Sequence, residues 1–559
     1  MRNGTMRTAA GLALLGALVL FSADQAGPRA RLAPVNPAYL QALESPDLPL
    51  PSPQDLTPLR NTPRLIDETL PPAYDLRQFF RVSPVRSQDP YVNCPFFGIY
   101  GSLESTLKPL ETLDFSEHHL DESSEASSIL EANIGALARW ADPVLEEDAP
   151  WPSAPLAVAA LDPAKHVQNI TFLPPRADAQ DNDRIKRAII DSGAVYAEMR
   201  FLPDLMNQTY SSYYNTTAES GLHAVAIIGW DDQFARTKFS PFAPGDGAFL
   251  CKNSRGTNFG NAGYFHVSYY DAFFARFSLP AVFFAEPAAG LTRNYQHDLV
   301  GCTARLGFDS ETGWFASQFV SVSTDPLDAV ALYSYSHEAS YEIFVYKNAT
   351  PGLPRSGAQA VRFEGTLKEA GYKTLRLPAS LPMAVNEVFS VVVRLTSPGN
   401  NYPIPVEHPV EGFQAVFQAA PGESFISSDG ADWSDLAMYE GTVYARSNVC
   451  LKAFAGFVPV HPPAYLRVDR LVNNLVFYKE YIDRLTWLPN PNNTGNIVAY
   501  RIYRKTKGEA NSSYEFLAET GTTTLMYHVR GLQKDDAFAY RVTAVTDTGR
   551  EGDPAEVTG

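Results

Sequence analysis

The stretch around Cys94 constrains the fold of this chain more than any other part of the sequence. Gln88 stands six residues before Cys94, and Pro95 follows it directly. Behind the cysteine, apolar residues recur at three- and four-residue spacing, as one face of a buried helix requires: Phe96, Phe97, Tyr100, Leu103 and Leu107. Proline is tolerated in a first helical turn, where its missing N–H group costs nothing. The pattern therefore predicts that Cys94 begins a buried helix, whose N–H groups and dipole favour a thiolate.

Two later segments each carry one polar residue against an apolar background. They are residues 221–232, which contain His223, and residues 249–271, which contain Asn253. Each pattern is typical of a β-strand that enters or leaves a turn. A lone histidine on a strand is usually a core residue. A cysteine followed at long range by a histidine and then an asparagine is nevertheless a known order of catalytic residues.

With these segments in place, the chain resembles the papain family of cysteine peptidases. The matching pieces occur in the family's order: L-P-P-A-Y-D-L-R (70–77), P-V-R-S-Q (84–88), Cys94 with its helix, L-D-F-S-E-H-H-L (113–120), H-A-V-A-I-I-G-W (223–230) and K-N-S-x-G-T-x-F-G-x-x-G-Y-F (252–265). The resemblance covers residues 70–290. It implies an α+β papain-like domain, with a helical half and a β-barrel-like half. It also implies a cysteine-type endopeptidase that acts on a polypeptide substrate.

The resemblance further implies a role for each site residue. Cys94, as a thiolate paired with the His223 imidazolium, attacks the scissile carbonyl, and His223 then protonates the leaving amine. Asn253 holds the His223 ring, as an Asp does in serine proteases. The Gln88 amide and the Cys94 backbone N–H form the oxyanion hole.

The chain departs from the family pattern beside these residues. The family has Trp after the cysteine, Trp after K-N-S, glycines before the cysteine and a Gly-Gly substrate-binding wall. The replacements here are Pro95, Arg255, Asp89 with Val92, and Ser127-Ser128. An arginine head is held only by a carboxylate or carbonyl partner or by water, so we expect a wetter site around Arg255.

These departures leave other functions open. The main alternative is a catalytically weakened or inactive papain-fold surface adhesin or glycan-binding protein. A transpeptidase or amidase that uses the same acyl-thioester chemistry is a further alternative, because hydrolysis and transfer both proceed through Cys94.

We expect neither a metal ion nor a cofactor. His118 and His119 are adjacent on a predicted helix, where neighbouring side chains point in different directions, so we expect two solvated surface residues. No H-E-x-x-H or G-x-S-x-G motif occurs in the sequence, which leaves zinc-protease and serine-hydrolase interpretations without support.

The N-terminal residues predict export. Arg2 and Arg7 precede an apolar run, Ala9 to Phe21, so residues 1–26 have the pattern of a signal peptide. The run is short for a membrane span, and we expect membrane contact only through an uncleaved signal. The prediction is a secreted or cell-surface protein. Residues 27–69 are Pro-rich and are expected to form a flexible leader or short pro-segment.

Two all-β sandwich domains are expected behind the peptidase-like domain. Residues 295–457 alternate strand-rich runs with turn clusters, which is typical of a β-sandwich. They resemble a lectin-like domain found behind papain-type domains in secreted proteins, which implies a cell-surface glycan partner. Asp429, Gly430 and Trp433 form either a sugar site or a structural hairpin. The net charge of −17, with no basic stripe, argues against a nucleic-acid partner.

The C-terminal residues 464–559 resemble a fibronectin type III module, a usual spacer or binding platform. His461-Pro462-Pro463 forms a linker to it. Cys302 and Cys450 lie near the two ends of the lectin-like domain. Whether they form a disulfide bond is left open by the sequence.

Overall fold

The computed structural model describes residues 28–44, 50–91, 93–124, 129–151, 161–217, 222–288, 290–413, 415–456, 460–474, 478–493, 497–509, 513–546 and 551–559. The predicted signal, Val92 and Ser127-Ser128 lie outside these residues. Among the helices in these ranges, none is long and apolar enough to cross a membrane.

The leader, which holds β1, α1 and α2, and the peptidase-like half together contain all the described α-helices and the first ten strands. The helices are α1 (Pro37–Ala42), α2 (Thr57–Arg60), α3 (Cys94–Leu107), α4 (Glu117–Ser123), α5 (Leu130–Ala138) and α6 (Asp183–Asp191). The strands are β1 (Arg31–Leu32), β2 (Ala73–Asp75), β3 (Lys165–Phe172), β4 (Val195–Arg200), β5 (Met206–Asn207), β6 (Ser212–Tyr213), β7 (Leu222–Asp231), β8 (Ala248–Lys252), β9 (Tyr264–Ser268) and β10 (Ala281–Pro287).

The lectin-like half and the C-terminal module are built from strands. The lectin-like strands are β11 (Arg293–Tyr295), β12 (Ala304–Gly307), β13 (Thr312–Val320), β14 (Leu327–Ser334), β15 (Ala339–Lys347), β16 (Ala358–Leu367), β17 (Gly371–Leu381), β18 (Val388–Thr396), β19 (Ile404–Glu407), β20 (Ser424–Ser427), β21 (Ser434–Asp435), β22 (Asn448–Val449) and β23 (Leu451–Ala455). The C-terminal strands are β24 (Ala464–Asn474), β25 (Lys479–Leu488), β26 (Ile497–Thr506), β27 (Glu515–Gly521), β28 (Met526–Leu532), β29 (Phe538–Thr546) and β30 (Ala555–Thr558).

Helix α3 is the central helix of the peptidase-like domain, as the apolar spacing predicts. It begins at Cys94, with Pro95 in its first turn. Gly98 and Gly101 allow α3 to approach the sheet closely. A Cβ atom at Gly98 would lie 2.9 Å from the Tyr196 ring, and one at Gly101 would lie 3.1 Å from the Ala226 Cβ. The two small residues therefore seat the helix directly on β4 and β7.

One continuous sheet joins the peptidase-like and lectin-like halves. Its order is β11-β23-β14-β17-β3-β10-β4-β7-β8-β9-β6-β5, with β2 also on β7. The junction is β17 against β3, with Gly371 opposite Thr171 and Tyr372 opposite Ile170. Gly371 has φ of +139°, and a side chain there would collide with the Ile170 carbonyl. Glycine is therefore required where the halves meet.

The leader is ordered where it is described, which corrects the expectation of a flexible segment. Strand β1 pairs with β12 of the lectin-like half, with Leu32 opposite Leu306. Tyr39 and Leu59 are buried in apolar clusters. Composition predicted flexibility because proline disfavours regular structure, but tertiary pairing determines the outcome here.

The lectin-like half is a two-layer β-sandwich. A second sheet, in the order β16-β15-β18-β13-β20-β21, lies over the β11-β23-β14-β17 part of the continuous sheet. Cys302 and Cys450 are buried thiols in this half. Burial, and then the neighbouring Cys302 thiol, raise the pKa of Cys450. The pair left open by the sequence is thus two thiols in this structure.

The C-terminal residues form a separate sandwich of two sheets, β24-β25-β28 and β27-β26-β29-β30. Trp487, Tyr500 and Tyr540 are buried in its core. This confirms a third β-rich unit, and its assignment as a fibronectin type III module remains a prediction.

Candidate active site

Cys94 lies at the N-terminus of α3 and is 1% exposed. Its Sγ accepts a hydrogen bond from the backbone N–H of Ala224, at 3.3 Å. Ala224 follows His223 on β7. The fold therefore brings the predicted nucleophile to the strand that carries the predicted base, 129 residues later in the sequence.

His223 and Asn253 are joined by a hydrogen bond of 2.8 Å between Nε2 and Oδ1. Asn253 directly follows β8, which pairs with β7. The same Oδ1 accepts the Ser254 backbone N–H at 2.8 Å, which fixes its identity as the acceptor oxygen. Nε2 of His223 must then carry the proton, and Nδ1 is left as the basic nitrogen. This is the tautomer that a general base facing a thiol requires.

The resting site favours neutral groups. Burial raises the pKa of the Cys94 thiol to about 11, against smaller opposing effects from the Ala224 N–H and Arg255. Burial, and then the positive charge of Arg255, lower the pKa of His223 to about 4. Desolvation in this closed arrangement opposes the effect of the helix dipole on the thiol. The thiolate–imidazolium pair implied by the family resemblance stays a prediction.

Gln88 is held by Ser254, a residue to which the sequence assigned no role. The Ser254 Oγ donates to Gln88 Oε1 at 2.6 Å, and the Gln88 N–H donates to the Ser254 carbonyl at 2.7 Å. Gln88 Nε2 donates to the Tyr91 carbonyl at 2.9 Å. The serine thereby fixes which end of the amide is the oxygen and leaves the second N–H of Nε2 for an oxyanion.

Replacing Ser254 by alanine should lower kcat of peptide hydrolysis roughly two- to tenfold, the worth of one hydrogen bond. The Gln88 amide loses its fixed orientation, while contacts that bind substrate remain, so KM should change little. Steady-state kinetics measure both constants. Ser254→Thr keeps the hydroxyl and should retain most activity, and equal losses in the two variants would contradict this role.

The Phe201 ring lies beside His223, near the position where the replacement of the family's Trp by Arg255 predicted a wetter site. The two rings lie 5.5 Å apart between centroids, and the Arg255 guanidinium lies 5.4 Å from the Phe201 centroid. Arg255 is exposed to solvent, in line with the expectation of water around it, and the Phe201 ring is an additional partner of its guanidinium group. Phe201 lies outside the family-like motifs, so no sequence pattern pointed to it.

Behind Asn253, a polar cluster links the elements of the site. Lys252 donates to Ser83 Oγ at 2.7 Å, and Glu104 accepts the Phe115 N–H at 3.0 Å. Lys252, Glu104 and Glu117 line a cavity of about 10 Å³, the room of one water molecule. Burial and the neighbouring carboxylates raise the pKa of Glu117.

The adjacent histidines differ from the expectation. His118 is 7% exposed and His119 is fully buried, so neither is a solvated surface residue. His119 Nδ1 lies 2.9 Å from Asp142 Oδ1. Helix α4 is packed on both sides, which a single-helix argument could not show. Within the described part of the chain, no group of three or more ligating side chains is placed to hold a metal ion.

Comparisons with known proteins agree with this architecture. Residues 70–272 match the model of the papain family of cysteine proteases, and residues 294–455 match the model of the lectin like domain. The chain therefore carries a papain-family cysteine protease domain followed by a lectin-like domain, as the sequence motifs predicted.

Among solved structures, the chain is similar to the cysteine protease and lectin-like domains of Cwp84, a surface layer associated protein of Clostridium difficile. The identity is 22% and the TM-score 0.67, over 77% of this chain and 98% of that chain. A clostridial Cwp84 variant after propeptide cleavage gives 22% identity and a TM-score of 0.61, over 69% and 99% of the two chains. At this identity the likeness establishes the fold. No curated protein matches the chain significantly.

Proposed function

We propose that this chain is an exported cysteine-type endopeptidase that hydrolyses peptide bonds through Cys94, His223 and Asn253. The observation that carries the proposal is the hydrogen bond from His223 Nε2 to Asn253 Oδ1. It orients the imidazole of His223 on β7, where the backbone N–H of the next residue, Ala224, donates to the Cys94 sulfur. An exported location is supported by the predicted signal and by the surface-layer association of the similar clostridial protein.

The chemistry follows from these positions. Above a pH of about 4 the His223 imidazole is neutral, because burial lowers its pKa, and Nδ1 takes the proton from the Cys94 thiol. The sulfur bonds to the scissile carbonyl carbon, and the oxyanion is bound by the Gln88 amide and the Cys94 N–H. His223 returns the proton to the leaving amine. His223 then acts as the base again and takes a proton from a water molecule, which hydrolyses the thioester.

A second role belongs to the lectin-like domain. We propose that it binds a cell-surface glycan and so places the peptidase near its polypeptide substrate. An inactive adhesin remains the rival function, favoured by the 1% exposure of Cys94. A transpeptidase would differ in the nucleophile that attacks the thioester, an amine in place of water. An amidase would differ in the acyl donor that Cys94 attacks to form the thioester.

An epoxide-type thiol inhibitor should label Cys94 and stop hydrolysis of an unfolded protein substrate. All four thiols are buried, so selective labelling of Cys94 would report its activation beside His223 and not its exposure. Cys251, Cys302 and Cys450 serve as internal controls that should stay unlabelled. Peptide mass mapping locates the adduct. An unmodified Cys94, together with no turnover of any unfolded protein, would establish the adhesin function instead.

A further inference from the structure

A shallow groove of about 290 Å³ lies on the outer face of the second sheet of the lectin-like sandwich. This volume is near the lower end of small-molecule sites, roughly 300–1,000 Å³. Tyr341 and Gly365 border it, and the polar side chains that line it are Ser340, Glu342, Glu364, Thr366, Arg394 and Thr396. Their neighbours along each strand point the opposite way, into the sandwich core, as alternation in a strand requires.

The register of the strands arranges these side chains in two parallel rows. Ser340 of β15 is opposite Thr366 of β16 and Thr396 of β18, which forms a row of hydroxyl groups. The hydroxyl of Thr312 on β13 extends this row, 2.7 Å from that of Thr396.

The second row is charged. Glu342 of β15 is opposite Glu364 of β16 and Arg394 of β18. The groove therefore offers hydroxyl, carboxylate and guanidinium groups on one flat surface.

The charges around the groove balance. Arg362 donates through Nε to Glu342 Oε1 at 2.7 Å, and its NH2 lies 3.9 Å from Glu364. Arg394 lies 4.0 Å from Glu342. Two carboxylates thus face two guanidinium groups. Because the charges of these four side chains cancel, the surface of the groove favours a neutral ligand over a polyanion or a polycation.

The exposed members of the charged row keep hydrogen-bonding capacity for a ligand. The Glu342 side chain is 15% exposed and fixed by its arginine partners, whereas those of Arg394 and Glu364 are 48% and 74% exposed. Carboxylates accept and guanidinium groups donate in pairs, which matches neighbouring hydroxyl groups that each donate and accept.

The polar groups of the hairpin that the sequence offered as a sugar site form hydrogen bonds within the hairpin itself. Asp429 Oδ1 accepts the N–H groups of Ala431 and Asp432, and Trp433 Nε1 donates to the Gly430 carbonyl. Trp433 also covers the aromatic half of the outer sheet face. The groove lies on the half that remains open.

We propose that this groove is the carbohydrate site of the lectin-like domain and binds an uncharged, hydroxyl-rich segment of a cell-surface polysaccharide. The assignment rests on the glycan-binding role proposed above. It names the outer sheet face, in place of the hairpin, as the surface that contacts the sugar.

Titration calorimetry of the full chain with neutral gluco-, manno- and galacto-oligosaccharides, and with one anionic and one cationic polysaccharide, tests the assignment. Arg394→Ala and Glu364→Ala should each weaken binding about tenfold or more, since each removes hydrogen bonds to a charged group. Asp432→Ala, on the exposed hairpin, is the matched control and should bind as wild type does. Thermal unfolding of each variant verifies the fold.

The possible results distinguish the location of the sugar site in the groove from the broader proposal that the lectin-like domain binds a glycan. Wild-type binding that both groove variants retain would overturn the groove and leave the glycan role intact. Binding to charged polysaccharides alone would overturn the neutral ligand. No binding of the wild type to any of these saccharides would overturn both proposals.

Discussion

Replacing Cys94 by alanine is expected to abolish peptide hydrolysis, with a loss in kcat on the order of 10⁶, as when the nucleophile of a catalytic triad is removed. His223→Ala should cost nearly as much, because nucleophile and base act as a unit. Gln88→Ala should cost roughly 10²–10³, the usual effect of one oxyanion donor. Single-turnover kinetics with an unfolded protein substrate measure these losses.

The matched control is Cys251→Ala, which removes a second buried thiol from the same domain. Cys251 lies on β8, opposite Ile227 of β7, which is four residues along the strand from His223. We expect it to keep activity near that of the wild type. Hydrolysis that survives Cys94→Ala would show that another group is the nucleophile.

The sequence predicted those residues of the site that a residue type and its spacing along the chain can identify. The apolar spacing behind Cys94 predicted α3, and single polar residues on apolar strands predicted His223 and Asn253. The structure brings these three residues together, as the family order implies. Their catalytic roles stay predictions until the variants are measured.

The supporting residues could not be predicted, because their contacts join strands that are distant in sequence. Ser254 acts on Gln88, which is 166 residues away. Phe201 reaches His223 because β4 ends beside β7. Neither contact leaves a periodic pattern. The prediction that His119 is a solvated surface residue was wrong for the same reason, because the residues that bury it come from other elements.

A chain that ends at residue 288, before the lectin-like domain, should fail to fold, although the family resemblance covers residues 70–290. The core of the peptidase-like domain is shared. Tyr333, Tyr372 and Phe454 belong to the same buried cluster as Phe96 and other residues of α3. Phe454 stacks on Trp140 at 4.6 Å between centroids.

The lost burial is comparable with the whole stability of a typical domain. Each large apolar side chain contributes about 1.5–3 kcal/mol, and the truncation removes three of them, Tyr333, Tyr372 and Phe454, together with Ala329 and Ala331, from one core. It also exposes the edge of β3 that pairs with β17. A typical domain is stable by only about 5–15 kcal/mol, so we expect an unfolded or aggregated product.

A chain that ends at Phe457 provides the control, because it removes only the C-terminal sandwich. Among the described strands, none from 464–559 pairs with a strand of the other domains. This chain should unfold cooperatively near the full-length temperature and should keep Cys94 labelling. Circular dichroism and limited proteolysis compare the two truncations. A cooperative transition and normal labelling in the chain ending at residue 288 would mean that the peptidase-like domain is independent, and that the β3–β17 junction contributes little to its stability.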